Sequence, residues 1–287
     1  MSKSPLMPFT EALATIQSNS QCLVKEDTIA LNKSLGRVLA QDIYASIDIP
    51  PAANSAMDGY VMRFDDWQAN KVFPISQRIP AGVAPEQLQE NTVARIFTGA
   101  EIPANADLVI MQENAITHDE GVSFTQVPKQ NDNIRPQGQD VLKDSRVLEK
   151  GLRLDAQHLG IIASLGINQI AVFDKLKVGV LTTGDELITA GNTLNKGQIF
   201  NSNGPMLQAL VEKLGHEVAS YQHASDNHQE TESILAKMSS CCDIILSSGG
   251  VSVGEEDHVK NVIEANGELL LWKIAIKPGK PLVHGSV

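Results

Sequence analysis

Residues 177–184 read KVGVLTTG, and this octapeptide decides the fold of the C-terminal part of the chain. Val178, Gly179, Val180 and Leu181 are apolar at consecutive positions, the pattern of a strand covered on both faces, and Thr-Thr-Gly opens a loop. Towards the C-terminus the theme repeats. GPMLQALVEKLG predicts a helix and HEVASYQ a strand, HQETESILAKM a helix and DIILSSGG a strand, DHVKNVIEANG a helix and ELLLWKIAI a strand. Such alternation predicts a doubly wound, mostly parallel α/β domain over 177–287.

Upstream the pattern changes. DAQHLGIIASLG reads as a helix closed by Gly166. From 48 to 148, short runs such as VARIFTG, ADLVIMQENAI and VSFTQV are broken by Pro, Gly and Asn, which predicts a β domain. The first forty-odd residues read as helical, with Phe9, Leu13 and Ile16 and then Leu31, Leu35, Val38 and Leu39 at helical spacing. The expectation is a multidomain α/β chain: a helical region of 1–47 and 149–176, a β domain of 48–148 inserted into it, and the sheet domain of 177–287.

Composition sets bounds on function. The 287 residues carry 23 basic and 34 acidic side chains, a formal charge of −11, which argues against nucleic acid or an anionic membrane as partner. Aromatic residues make up 4% and apolar residues 42%, so the cores are expected to be aliphatic. Cys22, Cys241 and Cys242 form no disulfide framework, and the vicinal pair is read as small core residues. The seven histidines show no zinc-ligand spacing. The N-terminus lacks the apolar stretch of a signal peptide, and no run is long enough to cross a bilayer. A cytoplasmic protein is expected.

In an open parallel sheet the ligand crevice lies beyond the C-terminal strand ends. Three such loops carry carboxylates: Asp185 and Glu186 in the first, Asp226 in the second, and Glu255, Glu256 and Asp257 in the third. Like charges converging on one rim call for a cation, and hard oxygen ligands suit Mg²⁺ bridging to a phosphate. The run Ser248-Gly249-Gly250-Val251-Ser252-Val253-Gly254 lets backbone N–H groups approach an anion. Helix capping would account for any one of these loops; three on one rim favour a site. Residues 270–287 hold Lys273, Lys277 and Lys280 and no acid. Lys273 and Lys277, an even number apart, are expected on one side of a strand, as anion contacts or as edge protection. In the β domain, Asp58, Thr98, Arg135 and Asp140 sit in turn-rich loops and are candidates or turn formers.

Taken in order, SAMDGY, RIFTGAEIP, IRPQGQD, TTGDEL, QIFNSN, SSGGVSVGEED and WKIAIKPGKP resemble the molybdopterin molybdenumtransferase family, to which the E domain of gephyrin belongs. The resemblance runs from about Phe9 to the last residue. It implies Mg²⁺-dependent insertion of molybdenum from molybdate into adenylylated molybdopterin, with release of AMP, by a homodimer served by a molybdopterin adenylyltransferase. It further implies catalytic roles for Asp58, Thr98, Glu186, Lys273 and Lys277, with Asp58 and Thr98 contributing across a dimer cleft. Asp185, Ser248, Gly249, Gly250, Ser252, Gly254 and Arg135 would bind substrate, and Asp226 and Asp257 would hold the metal. His258 stands where the family often has Tyr. The family continues past KPLVHGSV into a Leu-Pro-Gly-Asn-Pro type turn and a small β domain, so the sheet domain is expected to be incomplete and that β domain absent. Other readings remain: an adenylyltransferase or pyridine-nucleotide-salvage enzyme sharing the sheet domain, or a non-enzymatic scaffold like gephyrin.

Overall fold

The computed structural model describes residues 6–251, 258–277 and 281–287. The chain divides into two compact units, one of residues 1–28 with 171–287 and one of residues 29–170. Among the described residues there are five α-helices: α1 (Phe9–Asn19), α2 (Ala156–Ser164), α3 (Asn203–Lys213), α4 (His228–Ser239) and α5 (His258–Asn266). None is long and apolar enough to cross a membrane.

The unit of residues 29–170 is mainly β. Its strands include β1 (Asn54–Ser55), β2 (Gly59–Met62), β3 (Ile75–Ile79), β4 (Val93–Ile96), β5 (Leu108–Met111), β6 (Ala115–His118), β7 (Gly121–Phe124) and β8 (Ile134–Arg135). Four of them form a sheet in the order β3-β4-β2-β5. Alternation along β2 sends Tyr60 and Met62 into a cluster with Phe73, Leu108, Val122 and Phe124, and Val61 into a second with Ile79, Ile96 and Val109. Both faces of the sheet are therefore covered. Helix α2 runs where DAQHLGIIASLG predicts it; Asp155 and His158 form a capping box, and Gly166 follows with φ +76°.

The stretch 29–45 does not form the helix that its apolar spacing predicts. It folds into short strands and one turn of 3₁₀ helix at Leu31–Lys33. Non-local backbone partners compete for its hydrogen bonds. Gly36 N–H donates to Leu154 O at 2.8 Å, Leu39 N–H to Leu152 O at 2.9 Å and Ala45 N–H to Ser145 O at 2.9 Å. Gly36 takes φ +76°, and Leu35, on the supposed apolar stripe, is 62% exposed. Periodicity here reflected chance spacing of leucines rather than a buried face.

The other unit is built on β9 (Lys177–Thr183), β10 (Glu217–Ala224) and β11 (Ile244–Ser248), parallel and in the order β10-β9-β11. Val178 and Val180 pack with Val211 and Leu207 of α3; Leu181 packs with Leu235 of α4 and Val259 of α5. Helices thus cover both faces, as the sequence predicts for a doubly wound sheet. Gly179 packs closely here, since a Cβ there would lie 2.5 Å from Met238 Cε and the methionine end would have to move. Strands β12 (Glu268–Trp272) and β13 (Val283–Ser286) form an antiparallel pair.

Helix α1 belongs to this unit. Its buried residue is Ala12, packed with Leu271 and Ile274, while Phe9 and Leu13 are largely exposed. Ala275 N–H donates to Met7 O at 2.7 Å. The expected helical region is therefore divided: residues 1–28 go with the parallel sheet and 29–47 with the β structure. Of the vicinal cysteines, Cys241 is exposed, contrary to the core reading. Cys242 is half-buried, and burial pushes its thiol up to about 11.

Candidate functional site

The topology of the parallel sheet sets where a site can form. Strand β9 connects through α3 to β10 on one side, and the chain then returns through α4 to β11 on the other. The crevice of such a sheet opens at the C-terminal ends of β9 and β11. Two acidic loops meet beside it. Asp185 N–H donates to Asp226 Oδ2 at 3.2 Å, and Asp226 N–H donates to Asp185 Oδ1 at 3.1 Å. Each aspartate thereby anchors the other's backbone, and among the described residues its second carboxylate oxygen takes no hydrogen bond.

Capping does not explain Asp226. The N-cap of α4 is Asn227, whose Oδ1 accepts from Glu230 N–H at 3.0 Å. The Glu230 side chain in turn takes the hydroxyl of Ser225. Asp185 precedes no helix; the next element is the two-residue strand Leu187–Ile188. Glu186 is exposed and its carboxylate lies over Gly184, where a Cβ would be 2.3 Å from Oε2. Neither aspartate forms an ion pair among the described residues.

The Gly-rich loop leaves β11 beside this corner. Asn203 Nδ2 donates to Ser248 Oγ at 2.8 Å. Gly249 takes φ +104° and Gly250 φ +67°, and a Cβ on Gly249 would lie 2.4 Å from Thr183 Oγ1. Only glycine combines that backbone with that closeness. Ser252, Gly254 and Asp257, named above for substrate and metal, lie outside the described residues, as does Lys280.

The lysines are not placed as expected. Strand β12 ends at Trp272, and Lys273 takes φ +66°. That left-handed residue breaks the alternation on which a shared face with Lys277 depended. Lys273 Nζ instead sits 3.7 Å from the centroid of the Trp272 ring. Lys277 is exposed beyond the strand.

In the unit of residues 29–170, three of the quoted stretches gather. Asp58 Oδ1 accepts from both the backbone N–H and the hydroxyl of Thr98, each at 2.8 Å. These two donors, with the charge of Arg95, hold the Asp58 carboxyl below its ordinary range. Arg135 pairs in register with Asn54 between β8 and β1, and is exposed. Asp140 joins the backbone near Ile49, its N–H donating to Ile49 O at 2.9 Å. Thr98→Ala should raise the Asp58 pKa while leaving it below the ordinary value, because the backbone donor survives; carboxyl ¹³C titration by NMR measures this.

Sequence reading missed four residues here. Asn201 is buried, donates to Thr182 Oγ1 at 2.9 Å and Tyr221 Oη at 3.1 Å, and accepts from Gly204 N–H at 3.0 Å. Together with Asn203 it explains why QIFNSN matters: two asparagines two residues apart at a helix start was the available signal. Trp272 and Lys260 gave none, because their meeting depends on how α5 lies against β12.

The residues present fit a magnesium ion only as a partial set. Two adjacent carboxylates with hard oxygens suit a cation that keeps waters and binds phosphate as well. Among the described residues no group of three His, Cys, Asp or Glu side chains converges.

Residues 7–166 match the family model described as the MoeA N-terminal region (domain I and II), and residues 179–287 match one described as a probable molybdopterin binding domain. A protein named molybdopterin molybdenumtransferase from Haemophilus influenzae is 42% identical over 259 residues, covering 90% of this chain and 64% of the relative. One of the same name from Staphylococcus aureus strain MRSA252 is 35% identical over 280 residues, covering 95% and 67%. The crystal structure of the molybdopterin biosynthesis MoeA protein from Pyrococcus horikoshii OT3 superposes with a TM-score of 0.84 at 33% identity, covering 98% of this chain and 72% of that one. The chain thus spans just under two thirds of the length of its Haemophilus relative. With more than half of its residues under the first of these family models, the chain belongs to the MoeA family, whose relatives bear the name molybdopterin molybdenumtransferase.

Proposed function

We propose that the chain inserts molybdenum from molybdate into adenylylated molybdopterin with release of AMP, in molybdenum cofactor biosynthesis, as a cytoplasmic homodimer that requires Mg²⁺. The observation that carries this reading is the reciprocal pairing of Asp185 with Asp226 beside the crevice of the parallel sheet. Two carboxylates that already hold each other's backbone, and that form no ion pair among the described residues, make a receptor for a metal that arrives with a phosphoanhydride.

In this reading Asp226 and Asp185 hold Mg²⁺, with Asp257 from outside the described residues. Bound there, Mg²⁺ would neutralise phosphate charge and polarise the anhydride. The chain's own residues do the rest. Gly249 and Gly250, which bring their backbone close to Thr183, leave room for an anionic group against the loop. Lys273 and Lys277 bring positive charge for molybdate and for the phosphate oxygens at which charge develops. Asp58, kept ionised by Thr98, offers an acceptor for a proton or for a donor group on substrate. Arg135 and Glu186 belong to the same reading as a phosphate contact and a second acidic group on the rim. A molybdopterin adenylyltransferase would supply the adenylylated substrate.

The test is the substrate requirement. AMP is expected to appear only when adenylylated molybdopterin, molybdate and Mg²⁺ are all present, with no transfer of AMP from ATP to metal-free molybdopterin. AMP release that ignores molybdate, or adenylyl transfer from ATP, would sink the proposal.

A further inference from the structure

Lys273 does not stand alone at the end of β12. Its ammonium lies 3.7 Å from the centroid of the Trp272 ring, and that of Lys260 lies 4.3 Å from the same centroid. The two cations differ in one respect. Lys260 Nζ is paired with Glu264 at 2.7 Å along α5, whereas no ion pair to Lys273 is formed among the described residues. The indole also has a second attachment: Trp272 Nε1–H donates to Val251 O at 3.2 Å, the residue after Gly250. The start of α5 closes the same corner, with Lys260 N–H donating to Gly250 O at 3.2 Å. One ring therefore joins the Gly-rich loop, the first turn of α5 and the lysine that follows β12.

We propose that Trp272 is the positioning residue of an oxyanion subsite, its indole fixing the Lys273 ammonium and tying the Gly-rich loop beside it. The inference rests on reading Lys273 as the countercharge to molybdate. A lysine side chain is flexible, and ordering it on binding costs affinity. A ring face that holds the ammonium removes part of that cost beforehand. The contact uses one side of the ammonium and leaves N–H donors on the other for an oxyanion. The backbone supports the arrangement, since φ +66° at Lys273 ends the strand and Lys273 N–H still finds Leu282 O at 3.2 Å. A left-handed lysine is uncommon and is kept only where surrounding contacts fix it.

The experiment is molybdate titration by calorimetry, paired with Trp272 fluorescence in a Trp67→Phe background, where Trp272 is the only tryptophan. Trp272→Leu is expected to weaken molybdate binding roughly two- to thirtyfold, the range of a cation–π contact from exposed to desolvated. Trp272→Phe, which keeps a ring and loses the N–H, should fall between parent and Trp272→Leu. Molybdate should change Trp272 emission saturably, and Lys273→Met should abolish both binding and the emission change. If Lys273→Met loses binding while Trp272→Leu binds as well as or better than the parent, the positioning role is wrong and the anion reading survives. If Lys273→Met binds like the parent, the anion reading of Lys273 fails. Should thermal melting show Trp272→Leu unfolded, the phenylalanine variant and the emission signal decide: parent-like affinity in Trp272→Phe together with unresponsive Trp272 emission at saturating molybdate overturns the proposal.

Discussion

Asp226→Ala is expected to lower the rate of AMP release from adenylylated molybdopterin, with molybdate and Mg²⁺ present, by about a hundredfold or more, since even outer partners of metal ligands cost about ten- to a hundredfold. The substitution removes two things at once. It deletes one of the three carboxylates proposed to meet Mg²⁺, and it strips the acceptor from Asp185 N–H. Asp226→Asn separates them. Its amide oxygen still accepts from that N–H, so the loop keeps its anchor, but the negative charge is gone. If Asp226 serves the cation, the asparagine variant should be nearly as impaired as the alanine variant, and extra Mg²⁺ should restore part of its rate. If Asp226 only anchors the loop, asparagine should rescue. Equal melting temperatures of the three proteins would keep the comparison free of folding effects. An asparagine variant with parent-like activity and Mg²⁺ dependence would remove Asp226 from the proposed metal site.

The parallel sheet was legible because its strands are covered on both faces. Such strands are continuous in apolar residues, and Val178–Leu181 cannot be read as a surface element. The acidic loops were legible for a topological reason: once the strands are known, their C-terminal ends are known too. What a sequence does not carry is which residue of a loop spends its side chain on the local fold. Ser225, Asp226 and Asn227 are all capping types, yet Asn227 caps α4 and leaves Asp226 to Asp185. The lysines show the converse. Spacing by four put Lys273 and Lys277 on one side of an ideal strand, but a single left-handed residue at Lys273 ended that strand. The helix expected over 29–45 failed because hydrogen-bond partners a hundred or more residues away outbid the local i→i−4 ladder. Periodicity reports a face to be buried; it does not report distant backbone competing for the same N–H groups. The meeting of Trp272 with two lysines is of the same kind, set by packing between α5 and β12.

The second large effect is structural and falls on Gly59. Gly59→Ala is expected to destabilise the unit of residues 29–170 by about 3 kcal/mol or more, at the upper end of overpacking costs. Gly59 stands opposite Met111 in the antiparallel pairing of β2 with β5. A Cβ there would lie 2.0 Å from Ile110 O, 2.9 Å from Ile110 C and 3.1 Å from Met111 Cα. All three are backbone atoms, so no side chain can swing aside and the strands themselves must part. Tyr60, Val61 and Met62 follow directly and feed both cores of the sheet, so parting the strands disturbs each. The candidate site is disturbed with them. Gln112 N–H donates to Asp58 O at 3.0 Å, and Arg95 Nη1 donates to Gly59 O at 2.9 Å. Displacing Gly59 pulls Asp58 from the Thr98 donors that depress its pKa. A carboxyl with a depressed folded pKa adds stability above its unfolded pKa and loses it as pH falls through the folded value. Gly59→Ala should therefore show a smaller acid-induced loss from this group, besides its lower stability at neutral pH. Gly82→Ala is the control: Gly82 has φ +84° and nothing within 4 Å of a Cβ, so only the left-handed backbone cost of about 1–2 kcal/mol applies. Urea unfolding followed through Trp67 measures both variants. If the two lose equal stability, steric contact with Ile110 is not what requires glycine at position 59.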